Sequence, residues 1–460
     1  MSRRRAPHWL WLTVLFAAAC SREPDAAGRA RPAAPAPSSS ATVLATLPDV
    51  SPPRTTAAPV VLGLHAPIAV ANETEILFPE RGGAVTIVVH EEDGSRVVHG
   101  GREGKRYAAI GQVVVSPDGS RFAHGALAGG RWHMVVDGVE REGFDAVKDP
   151  AFSPDGEHVA YQAMDGDLWR LVVDRTASPG TRTRYLAHRF SGDSSRIAFI
   201  DDAGGEEKGR LVVSDLAFET PTVVAAAVAR FVVDAAGARI AAVSATGGGQ
   251  RVLTLGFDAP ERVTSGPAYD AVSGIVLGPD GSLAHVAERS GKRFMVLNGK
   301  EEPFPAGELR GVPVVRPGGP SIAALVQVAG RVRLQRFFAA GGGEGAWYDD
   351  AEDLVFSADG RSLAFAARRG PSWSVVVDGN EGPPFDRVVT PLFGPDGKVV
   401  VYRARKDGRR FVVVANADGT TKARHPAFDQ VFPARYASDG RSIAYGVVEG
   451  RQVLWKVEAP

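Results

Sequence analysis

One pattern recurs along most of this chain and limits the folds open to it. Its clearest copy runs Ser153-Pro-Asp-Gly156, then His158-Val-Ala-Tyr161, then Trp169-Arg-Leu-Val-Val-Asp174. Ser116-Pro-Asp-Gly119 leads in the same way to Phe122-Ala-His124 and Trp132-His-Met-Val-Val-Asp-Gly138. Ser357-Ala-Asp-Gly360 leads to Leu363-Ala-Phe365 and Trp373-Ser-Val-Val-Val-Asp-Gly379. Weaker copies fill the gaps, so the turn falls at positions 82, 119, 156, 194, 237, 281, 319, 360, 397 and 440. The spacing stays near forty residues, with two successive long steps, 43 and 44, between 194 and 281 and a further step of 43 between 397 and 440. A period of that length with four strand-like runs per unit is the signature of propeller blades.

Each motif residue has a mechanical reason. In Ser-Pro-Asp-Gly, Pro presets φ, Asp accepts hydrogen bonds within the turn and Gly takes positive φ. The following run of the Ile-Ala-Tyr type is a second strand, whose Ala permits close stacking and whose aromatic fills the space between blades. Val-Val-Asp-Gly is a third strand ending in a two-residue hairpin turn. Phe144-Asp145, Tyr269-Asp270, Phe385-Asp386 and Phe428-Asp429 are expected on the outer fourth strand. The fold class is therefore all-β, a propeller of about ten four-stranded blades. A single large ring is favoured over two smaller ones dividing within residues 194–281. The last copy ends on a third strand, Val453-Leu-Trp455-Lys-Val457, and residues 60–71 are expected to supply the missing fourth and close the ring.

These residues resemble the WD-like, PD-type repeats of the TolB propeller family, over nearly all of 60–460. The resemblance implies the fold. For function it implies only a range, since that family spans scaffolds, transport accessories and propeller domains of peptidases. No α/β domain precedes the repeats here.

The N-terminus has its own logic. Arg3, Arg4 and Arg5 precede an apolar run from Trp9 to Ala19, too short to span a bilayer, which ends in Ala17-Ala-Ala-Cys20. Cys20 is the only cysteine in the chain. The segment resembles the lipobox of bacterial lipoproteins, although Ala17 stands where that motif prefers Leu. The expected organisation is a signal peptide over 1–20, lipid attachment at Cys20, a disordered tether over 21–59 and propeller repeats over 60–460. Residues 21–59 hold no aromatic residue and are dominated by Ala, Pro, Ser and Thr, a composition that cannot bury enough surface to fold. The lipoprotein resemblance implies, with Ser21 and not Asp after the cysteine, an expected place at the outer membrane, facing the periplasm.

No constellation in the sequence points to catalysis. It has no Gly-x-Ser-x-Gly elbow, and His90-Glu-Glu-Asp93 stops short of a zinc-peptidase helix motif. His124 and His285 occupy the slot filled elsewhere by Tyr161, Phe199, Phe365, Tyr402 and Tyr445, and so read as packed aromatics. No catalytic residue, metal ligand or cofactor is assigned. Lys+Arg and Asp+Glu balance at 53 each, which gives no reason to expect nucleic acid as a partner. The variable loops between second and third strands are more informative. Arg368, Arg369, Arg405, Lys406 and Arg409 fall on two adjacent ones and form a candidate binding rim for an envelope protein or an acidic glycan. The expected function is non-enzymatic: a lipid-anchored binding or scaffold module of the cell envelope, touching the membrane only through its anchor. The alternative is a propeller enzyme, a polysaccharide lyase or glycosidase, which needs carboxylates or histidines gathered at the central channel.

Overall fold

The computed structural model describes residues 40–46, 68–70, 74–78, 84–91, 93–185, 187–201, 208–339, 343–437 and 440–460. Every regular element among them is a strand. The strands form nine antiparallel sheets, one of which is a double unit, so there are ten blades. The second blade is typical: Ala109–Val115, Phe122–Ala128, Arg131–Val136 and Val139–Phe144 pair in chain order. The double unit arises where one long strand, Thr222–Val233, closes the fourth blade and opens the fifth. Ala227, at a φ of 53°, lies within it where the pairing passes from one blade to the other.

The blades form one ring. Each main apolar cluster combines residues of two neighbouring blades. Val377, Phe385, Tyr402 and Phe411 join the eighth to the ninth. Ile76, Val85, Ile87 and Val89 of the first blade pack with Phe432, Val448 and Val453 of the tenth, which closes the circle. The small residue of the second strand is buried in blade after blade, as at Ala123, Ala160, Ala198, Ala284, Ala323 and Ala364. This lets adjacent sheets approach closely. First strands of neighbouring blades lie against one another, which places them nearest the axis. Many carry a β-bulge. In four, a residue inside it, Asp149, Gly274, Asp353 or Thr390, has φ between 50° and 57°. Such bulges sharpen the local twist where the sheets converge.

Closure differs from the expectation in its chain segment. Ser40–Thr46 pairs antiparallel with Gln452–Glu458, from Ser40 opposite Val457 to Thr46 opposite Gln452. It is the outer strand of the tenth blade, whose other strands come from the C-terminus. The expectation of a disordered tether through residue 59 is thus corrected over 40–46. The expectation that 60–71 closes the ring is corrected too, because Ile68–Val70 turns back on Thr74–Leu77 in the first blade. The physical reason is that an outer strand needs backbone groups and a few β-branched residues, not a large apolar face. Thr42, Val43 and Thr46 provide that within an otherwise Ala- and Pro-rich stretch. The turn expected at 82 and the signal segment with Cys20 lie outside the described residues.

Candidate functional site

The two ends of the ring are built differently. One end collects the turns between first and second strands and those between third and fourth. In the first kind, Ser116 Oγ donates to Asp118 Oδ1 at 2.6 Å, and Asp118 Oδ1 accepts the Ser120 N–H at 3.1 Å. Gly119 closes the turn at a φ of 70°. The Ser116 and Ser120 donors pull the Asp118 carboxyl down to about 2. The same Ser–Asp bond recurs at Ser153–Asp155, Ser191–Asp193 and Ser357–Asp359. In the second kind, Asp137 and Gly138 have φ of 52° and 80°, the positive pair that a two-residue hairpin needs. The Asp137 carboxylate also accepts the Phe122 N–H at 3.0 Å and so ties this turn to the second strand. Asp378 on Leu363 and Asn298 on Leu283 repeat the bond. These side chains are engaged in building blades.

The other end collects the hairpin tips between second and third strands. Here the expected role of the Phe-Asp pairs is refined. The aromatic bridges to the third strand, as Phe385 does to Trp373 and Phe428 to Arg410, but the following Asp begins the next blade. Its carboxylate holds that blade's hairpin tip. Asp145 accepts the Gly166 N–H at 2.7 Å, Asp349 that of Gly370 at 2.7 Å, Asp386 that of Asp407 at 2.8 Å and Asp429 that of Gly450 at 2.8 Å. The tips are thereby held against a fixed frame.

The five rim cations sit on two such tips, in neighbouring blades. Arg368 and Arg369 end the strand Leu363–Arg369, Arg405 and Lys406 end Val399–Lys406, and Arg409 begins Arg409–Asn416. Four of them have partners. Arg369 pairs with Glu381 at 2.7 Å and lies 4.4 Å over the Tyr348 ring. Arg409 bridges Asp429 at 2.6 Å and Glu449 at 3.1 Å. Lys406 stands 3.9 Å from Asp386, and Arg368 donates to the Gly370 carbonyl at 3.1 Å. Arg405 is exposed. The rim is therefore a lattice of alternating charge, which the sequence did not reveal because the partners lie in other strands and blades.

Side chains near the axis stitch blades together. Arg403 is buried. It donates to the Val431 carbonyl of the next blade at 3.1 Å and to Thr390 Oγ1 at 3.2 Å, and burial pushes it down to about 10. The Asp353 carboxylate accepts the Thr390 N–H at 2.7 Å across the blade boundary. Glu352, raised by burial, pairs with Arg387. Among the described residues, no three His, Cys, Asp or Glu side chains converge as a metal site would require.

His124 and His285 lie in the aromatic slot, each edge-on to a tyrosine, Tyr107 and Tyr269. His188, on the first strand of the fourth blade, was not singled out by the repeat because it occupies no repeated slot. His188 and His285 are buried, and among the described residues none of their ring nitrogens has a partner. Burial pushes His188 down to about 3 and His285 down to about 4. A histidine held neutral in the fold but free to protonate when unfolded stabilises fully above its unfolded pKa of about 6.5. That contribution is lost as pH falls through the folded values. The denaturation midpoint should therefore drop between about pH 6.5 and 4, above the range where the turn aspartates protonate. Chemical unfolding of H188F/H285F should show a much shallower drop across that window. An unchanged slope would remove these histidines as its cause.

No family model matches the chain, and no curated protein matches it. Among solved structures, it is similar to a eukaryotic initiation factor over 75% of this chain and 96% of that one, at 11% identity and a TM-score of 0.47. It is also similar to the dihydro-heme d1 dehydrogenase NirN in complex with DHE, over 65% and 71%, at 15% identity and 0.38. TolB from Acinetobacter baumannii is similar over 81% and 78%, at 12% identity and 0.27. At these values none bears on function, and the propeller architecture rests on the strand pairing itself.

Proposed function

We propose that this chain is a lipid-anchored module of the bacterial envelope that binds a protein partner at the hairpin-tip end of its ring and catalyses no reaction. One observation carries the reading. The repeated Ser–Asp turns of the turn end engage their carboxylates in building blades, whereas the tip end displays charged side chains that differ from blade to blade on a clamped frame. Charge alternating over a rigid surface suits electrostatic selection of a complementary protein. Binding of this kind weakens as salt rises, since exposed charges are screened beyond about 8–10 Å at moderate ionic strength.

Reversal of Arg368, Arg369, Arg405, Lys406 and Arg409 to Glu should abolish capture of the partner when intact envelopes are crosslinked and the captured proteins identified. The ring should survive, because exposed ion pairs contribute about 0.2–1 kcal/mol each. A charge-swapped pair, R369E with E381R, keeps that bond while altering the display and should also reduce capture. Equal capture by the reversed chain would place the partner site elsewhere. Retention of an acidic glycan in place of any protein would identify the other class of ligand.

A further inference from the structure

Across the fourth, fifth and sixth blades a groove of about 1090 Å³ opens at the turn end. The repeat is broken there. The third strand of the fifth blade, Gly249–Gly256, leads into seven residues, 257–263, the longest such connection, where the second, third, sixth and eighth blades have a two-residue turn. The fourth strand is displaced in consequence. It is only Thr264–Ser265 and pairs only with Thr254 and Leu253. Leu255 and Gly256 are left with no strand on their outer side among the described residues, and both line the groove.

The lining is amphipathic. Val252, Leu255, Leu277 and Leu283 give it apolar surface, and Arg196, Arg239 and Arg262 contribute three cations against the carboxylates of Asp193 and Asp258. Asp193 is engaged within its own turn by Ser191 and Ser195. The groove is also lined by His285, only 3% exposed, with neither ring nitrogen bonded among the described residues. Buried polar groups are nearly always paired, so an imidazole left unpaired beside a cavity marks where a ligand atom would be accepted. An open strand edge, apolar floor and cationic rim together match recognition of an extended peptide, with backbone pairing for affinity and side-chain pockets for selectivity.

We propose that this groove takes an extended acidic segment of a partner protein, added along the edge at Leu255 and Gly256, with its carboxylates on the arginines and an apolar side chain on the floor. The proposal rests on the reading of the ring as a protein-binding module, and adds a second site at the opposite end from the hairpin tips.

The test uses the full chain in detergent and a short fluorescein-labelled peptide of alternating glutamate and leucine, followed by fluorescence anisotropy. A peptide with lysine for glutamate is the control. Saturable binding of the acidic peptide alone is expected. It should weaken at least about tenfold in R196E/R239E, as loss of close charge pairs implies. R262E, on the exposed loop, should weaken it without touching a strand. H285F should also weaken it while keeping the thermal transition, since Phe199 and Phe365 fill the same slot in other blades. Equal binding of the lysine peptide, or unchanged affinity in R196E/R239E and R262E, would overturn the proposal. So would the absence of saturable binding. The rim-reversed chain should still bind the peptide, so loss of envelope capture with peptide binding intact separates the two sites. Failure of the peptide with capture intact leaves the hairpin-tip reading standing and removes the groove.

Discussion

A chain lacking Ser40–Thr46 should lose about 3–6 kcal/mol of stability, from the net contribution of the ladder hydrogen bonds between this strand and Gln452–Glu458. The loss should exceed that sum in kinetic terms. The strand joins the N-terminal segment to the C-terminal blade, and the tenth blade packs on the first through Phe432, Val448 and Val453. Phe78 lies 4.4 Å from Phe432 and 5.9 Å from Trp455, ring centre to ring centre, so the seam is also aromatic. With the outer strand gone, the edge of Gln452–Glu458 is exposed to other chains. Faster unfolding and self-association by size-exclusion chromatography are expected together. Removing Ile68–Val70 instead should cost less, because that strand pairs only with its hairpin neighbour in the first blade. A midpoint and unfolding rate equal to the parent's after loss of Ser40–Thr46 would mean the ring closes without it.

The second large effect concerns Cys20. In C20S the protein should move from the membrane fraction to the soluble periplasmic fraction nearly completely. Each buried methylene of an acyl chain contributes about 0.8 kcal/mol, so the several chains of a lipoprotein anchor hold firmly while their absence leaves no comparable attachment. Among the described residues no helix is long and apolar enough to cross a membrane. Fractionation of cells expressing each form reads the outcome. A C20S protein that stays in the membrane fraction to the same extent would contradict lipidation at this position.

Most of the ring was legible in the sequence because turns are chemically demanding. Ser116, Asp118 and Gly119 each satisfy a separate requirement of one turn, so the motif survives repetition, and its nine positions from 119 to 440 each mark a blade. The aromatic slot was legible for the same reason: the space between sheets is filled by Tyr161, Phe199 or His285 in most blades, and by Ala242 and Ala324 in two of them. The closing strand was hidden because the outer position of a blade asks little of its side chains, and Ser40–Thr46 merged with the Ala- and Pro-rich segment around it. Its signal was the run Thr42-Val43-Leu44, the β-branched and apolar cluster within that segment. The crossover aspartates were seen but given to the wrong strand, since their partners are backbone groups about twenty residues further on, as with Asp145 and Gly166. Rim charges were legible as positions only. The Arg409–Glu449 pair spans forty residues and two blades, and no local pattern announces it. The fused fourth and fifth blades left a trace in the long steps near 194–281, which mark a break in the repeat and not a boundary between rings.

The blades make one closed ring, fastened between Ser40–Thr46 and the last strand. Ser40 and Val457 are directly opposed. Opposed residues in an antiparallel pair have Cα atoms about 4.5–5.5 Å apart, within reach of a disulfide. With Cys20 replaced by Ser, the variant S40C/V457C should form an intrachain disulfide under mild oxidation of the folded protein, readable by mass spectrometry of the unreduced digest. The bond should also raise the denaturation midpoint, because it links segments more than 400 residues apart in the sequence. Two thiols that stay free in the folded protein, under conditions that oxidise exposed cysteines, would contradict closure by this strand.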